Sequence, residues 1–184
     1  KKTTLLIAIA FSGLLALLLF QSDTSTEHTS DSDPAPNRSA LPSFSYRDIL
    51  ENDEFKTGMQ QAVHNSDIEK AKALQQRALE IAYAADLPET EISLLSGDRG
   101  LSYMQFLAKR QLFSQAFERR YKGLEGIQDI KLIYPEAKDL FKQSDLLIAK
   151  RDAAINDIAR ELANGQDTTP FIELAKQQWL LLNQ

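Results

Sequence analysis

The sequence predicts an all-α protein: a single N-terminal transmembrane helix, a disordered linker, then an antiparallel bundle of five to six helices. Three observations lead there. An uncharged apolar run opens the chain, and a Ser/Thr/Asp/Pro tract follows it. The remainder shows apolar residues spaced by three and four, punctuated by caps, Gly and Pro, without an alternating strand pattern.

From Thr3 to Phe20 there are eighteen residues without a charge, mostly Leu, Ile, Ala and Phe. As a helix they would extend roughly 27 Å, close to the hydrocarbon thickness of a bilayer. The run is long for a signal-peptide core. Its exit, Leu17-Leu18-Leu19-Phe20-Gln21, offers no Ala-x-Ala cleavage site. Residues 1–20 are therefore read as an uncleaved signal-anchor, with a cleaved signal peptide as the alternative. The chain has no Cys, which excludes lipid attachment at a cysteine. Lys1 and Lys2 precede the span, and Asp23, Glu27, Asp31 and Asp33 follow it. Positive charge stays on the cytoplasmic side. The expected arrangement is single-pass in a bacterial inner membrane, with the N-terminus cytoplasmic and the rest periplasmic. The bacterial assignment rests on the absence of Cys from an exported domain.

Residues 21–43 are the linker. Large apolar residues are nearly absent, so the segment cannot bury enough surface to offset the entropy of ordering it. As a coil it would span roughly 25–30 Å. His28 stands alone in it and reads as a solvated residue rather than a metal ligand. Asn37-Arg38-Ser39 matches a glycosylation acceptor, a pattern too short to carry weight.

Residues 44–184 are read as one helical periplasmic domain, large enough for a core without disulfides. The whole-chain net charge of −5 argues against generic nucleic-acid binding. A first helix is expected from about Tyr46 to Val63. A Ser66-x-x-Glu69 capping box then opens a second, with Ile68, Ala71, Leu74, Ala78, Ile81 and Ala82 on one stripe. Pro88 starts a short third helix that Gly97 ends.

From Leu101 to Leu124 the spacing predicts a long helix. Tyr103, Phe106, Phe113, Phe117, Tyr121 and Leu124 fall within about 80° of one another, with Arg110 among them. One reading is a core face whose arginine lies over rings or meets a carboxylate. The other is a groove for a partner, with Arg110 receiving an anion. Lys109, Arg119, Arg120 and Lys122 make this helix locally basic.

After Tyr134-Pro135 a second long helix runs to about Ala163. Ala137, Phe141, Ser144, Ile148, Arg151, Ile155, Ile158 and Leu162 form a heptad seam with two polar interruptions, Ser144 and Arg151. Beyond Asn164-Gly165, Thr169 caps and Pro170 starts a last helix, with Phe171, Leu174, Ala175, Trp179 and Leu182 on its inner face.

Familiar catalytic motifs are missing: no G-x-S-x-G elbow, H-E-x-x-H, phosphate loop or dinucleotide fingerprint. His64 lies beside Ser66 and Asp67, a cluster that reads as capping rather than as a catalytic set. The turn Ser96-Gly97-Asp98-Arg99-Gly100 could receive an anion, but reads first as a connection in which Asp98 caps the next helix.

The expectation is a non-enzymatic adaptor or scaffold, with no metal or cofactor, that binds another cell-envelope protein. Its candidate partner-binding residues are Tyr103, Phe106, Arg110, Phe113, Phe117, Tyr121 and Trp179. An anchor, a polar linker and a helical domain also resemble the layout of membrane-anchored lipase foldases. That resemblance is one of layout and carries no residue across; it implies a chaperone for an exported enzyme as the rival reading. An enzyme with an unrecognised site is the third.

Overall fold

The computed structural model describes residues 44–183. The expected membrane anchor, residues 1–20, and the linker, residues 21–43, lie outside them. Among the described residues there are eight α-helices, two short 3-10 segments and no strand. None of these helices is long and apolar enough to cross a membrane. The chain divides into two compact units between Phe113 and Ser114.

The helix count exceeds the expected five to six for two local reasons. The helix expected over Tyr46–Val63 is divided into α1 (Tyr46–Glu51) and α2 (Asp53–His64). Asn52 divides it by leaving the helical region, with ψ at 134°. Its side-chain oxygen then accepts from the N–H groups of Glu54 and Phe55 at 3.0 and 3.2 Å. Those two donors would otherwise lack partners at the start of α2. The second addition is α6 (Gln128–Ile133), which buries only Ile130 and is too short to show a period.

In the N-terminal unit, α3 (Ile68–Ala84) starts one residue later than the capping box placed it. Asp67 is the cap, accepting from the Lys70 N–H at 3.0 Å, and Ser66 adopts a left-handed backbone. The buried positions of α3 are Ala71, Gln75, Ala78 and Ala82; Ile68 and Ile81, expected on the inner stripe, are exposed. Next comes α4 (Glu89–Leu95), followed by α5 (Gly97–Lys122).

The supposed turn at Ser96–Gly100 is therefore mostly helix: α5 begins at Gly97 rather than Leu101, and Asp98 lies in its first turn rather than at its cap. Two observations explain this. Gly97 has φ of +61°, which lets the chain redirect within one residue. A Cβ on Gly100 would stand 2.3 Å from the Leu95 carbonyl carbon and oxygen, so only glycine fits. The buried Gln75 amide ties the junction by donating to the carbonyls of Leu95 and Gly97, both at 2.7 Å. Met59, Leu95 and Met104 are the largest fully buried side chains of this core cluster. Full burial of such side chains is worth about 1.5–3 kcal/mol each.

In the C-terminal unit, a 3-10 segment over Pro135–Leu140 leads into α7 (Phe141–Ala163). The buried residues of α7 are Ser144, Leu147, Arg151, Ile155, Ala159 and Ala163. Their spacing lies nearer the 3.6-residue helical repeat than a strict heptad, as suits a packed bundle helix rather than a supercoil seam. Asn164 ends α7 in a left-handed conformation. The last helix, α8 (Ile172–Leu182), follows a 3-10 turn at Thr169–Phe171. The Asp167 carboxylate, rather than Thr169, supplies the capping acceptor there, receiving the Thr169 N–H and hydroxyl. Ala175 and Trp179 are buried in α8, while Leu174 and Leu182, expected inside, are exposed. Ile172 takes part in the packing instead.

Candidate functional site

The seven candidate residues divide between the two units, and their burial separates them further. Tyr103 and Phe106 keep 40% and 39% of their surface exposed. Phe113 and Phe117 are fully buried, and Trp179 is buried. Arg110 and Tyr121 are half-buried.

On the N-terminal unit, α5 presents Tyr103 and Phe106 one turn apart. The Arg110 guanidinium lies 5.4 Å from the centre of the Phe106 ring, near enough for a cation–π contact. On α1, the Arg47 Nε donates to the Tyr46 hydroxyl at 3.4 Å, and its guanidinium lies 6.0 Å from that ring. Burial raises the Tyr103 hydroxyl above its ordinary value; Tyr46 raises it further, and Arg47 pulls the other way. The aromatic and arginine-bearing surface described by direct contacts is that of α5, with Tyr103 and Phe106 exposed and Arg110 over the Phe106 ring.

On the C-terminal unit, the aromatics are structural. Phe117 packs against Tyr121 at 5.9 Å between ring centres, and Tyr121 meets Trp179 edge-on at 5.6 Å. The residue that organises this end is Arg151, which reads in the sequence only as a polar break in the α7 seam. Its side chain is buried, and it donates from Nη1 to the carbonyls of Tyr121 and Glu125 at 3.2 and 3.3 Å. It also pairs with Asp152 at 2.8 Å and stacks 5.7 Å from the Tyr121 ring centre. A cation placed on the last carbonyls of a helix satisfies orphan acceptors and the negative end of the helix dipole. Beside it, Arg120 bonds both Glu125 and Asp129, fixing the exit from α5.

Among the described residues, no group of three or more His, Asp or Glu is arranged to hold a metal ion. His64 is exposed at the end of α2, and the neighbouring Asp67 serves as the α3 cap.

No protein-family model matches this chain, and no curated protein or solved structure resembles it detectably.

Proposed function

We propose that this chain is a non-enzymatic protein-interaction module: an antiparallel helical bundle held at a bacterial inner membrane by residues 1–20 and carried into the periplasm on the linker 21–43. The observation supporting this reading is the exposure of Tyr103 and Phe106 one turn apart on α5, with the Arg110 guanidinium over the Phe106 ring. Aromatic residues and arginine are enriched where protein partners meet. They supply large contact area at low entropic cost and dominate binding energy when desolvated. The partner is another cell-envelope protein that covers this surface.

The test is a crosslinking pulldown of the full-length protein from membranes, comparing the wild type with a Tyr103→Ala/Phe106→Ala double variant. One dominant envelope protein, reduced about tenfold or more by the double variant, is the expected result. Equal recovery from both forms would overturn the assignment of this surface. A shortened, soluble product on the same blot would overturn the tether. Selective loss of one secreted enzyme's activity on deletion would favour the foldase reading instead.

A further inference from the structure

We propose that a groove on the N-terminal unit, walled by α1, α2 and α3, binds a short segment of a partner protein that presents a bulky apolar side chain beside a lysine or arginine. The proposal is independent of the aromatic surface and uses different side chains.

The groove has a volume of about 280 Å³. Its buried lining is Ile49 and Ala78, with Phe55 and Leu74 half-buried. Phe44 and Ile81 stay 51% and 40% exposed beside them. The local sequence explains why this space exists. Asn52 interrupts the helix and sets α1 at its own angle to α2, while α3 offers the small Ala78 where a larger residue would fill the slot. Pockets for whole small molecules run about 300–1,000 Å³, so this one falls just below that range and suits one or two side chains. Exposed apolar residues gathered around a concave floor mark a contact surface more often than scattered ones do.

The charges decide what should lie beside the apolar side chain. Asp48, Glu54 and Arg77 all line the groove. Arg77 meets Glu54 at 3.7 Å, so those two largely offset one another. Asp48 remains. Its Oδ2 receives the Ser45 N–H and hydroxyl, and no cation is paired with it among the described residues. The Ser45 hydrogen bonds also hold its carboxyl below the usual range and so keep it ionised. The groove therefore carries a net negative charge, complementary to a basic residue on the incoming segment.

The experiment uses the full chain in nanodiscs of zwitterionic lipid, with empty discs as background. The probe is a fluorescein-labelled helical peptide built from Leu and Lys, compared with Leu/Glu and Ser/Lys counterparts. Binding is read by anisotropy and by the methyl signals of Ile49 and Ile81. The expected result is saturable binding of the Leu/Lys peptide with both methyl signals shifted, and about tenfold or more weaker binding of each counterpart. Ile81→Lys and Phe44→Ser alter exposed positions, and each should weaken the Leu/Lys peptide by a similar factor with far-UV circular dichroism unchanged. Equal binding of the Leu/Glu or Ser/Lys peptide, or binding indifferent to both variants, would overturn the proposal. So would methyl shifts that follow protein concentration without peptide, which would assign the groove to a second copy.

Discussion

The Arg151 side chain of α7 donates to the backbone carbonyl of Tyr121 at 3.2 Å while its guanidinium stacks 5.7 Å from the centre of the same residue's ring. One buried cation thus serves as the cap of α5 and as part of the packing around Tyr121. Arg151→Ala should destabilise the protein by about 2–3 kcal/mol, since charged hydrogen bonds of this kind are worth about 1.5–3 kcal/mol and the Glu125 carbonyl loses its donor. Arg151→Lys should recover part of the loss, because it restores the charge but not the planar fork. Urea denaturation checks both, and an Arg151→Ala protein as stable as wild type would contradict the capping role.

Gly100→Ala tests the junction between α4 and α5. The added Cβ would meet the Leu95 backbone at 2.3 Å, and backbone cannot move aside as a flexible side chain does. Overpacking of this kind costs about 1–3 kcal/mol. A lower thermal midpoint is expected even though alanine is the better helix former. An unchanged midpoint would show that the junction is looser than described.

Trp179 is the single tryptophan of the chain, it is buried, and its Nε1 has no hydrogen-bond partner among the described residues. Replacement by Phe removes an unsatisfied donor together with some apolar area. Trp179→Phe should therefore cost under about 1.5 kcal/mol, whereas Trp179→Ala should cost about 3–5 kcal/mol. Chemical denaturation followed by circular dichroism separates the two. In the wild type, the indole emission should be blue-shifted and should move red on unfolding.

Asp48 and Asp167 each accept hydrogen bonds at a helix start, from Ser45 and from Thr169 respectively, and both carboxyls are held below the usual range. Their folded values lie below their unfolded ones. Their stabilisation is therefore complete above the unfolded value and is lost as pH falls through the folded one. Stability should decline as pH drops below about 4. The double variant Asp48→Asn/Asp167→Asn should be less stable at neutral pH and should show a shallower acid decline. Parallel curves for the two proteins would rule these carboxylates out as contributors.

Much of the helical pattern was legible because it is local. Pro88, Asn164-Gly165 and Tyr134-Pro135 mark boundaries through their own backbone preferences, and the structure places helix ends beside each. The break at Asn52 was not legible, since Asn is tolerated within helices and its capping acts on residues that read equally well as a continuing helix. In the candidate surface, Tyr103 and Phe106 announced themselves by helical spacing. Arg151 carried a signal that could have been weighed more heavily: a cation on the inner stripe of an amphipathic helix must find acceptors, and a helix C-terminus is where free carbonyls are found.

Among the described residues, single residues join successive α-helices at Asn52, between α1 and α2, and at Ser96, between α4 and α5. Connectors this short leave no slack. Inserting or deleting one residue within α5 between Gly100 and Met104 would turn the following positions by about 100° about the helix axis and swing Met104 and Ala108 out of the core. Length variation in natural or engineered relatives should therefore be confined to stretches such as Gln166–Thr168. The junctions at Asn52 and Ser96 should resist any change in residue number.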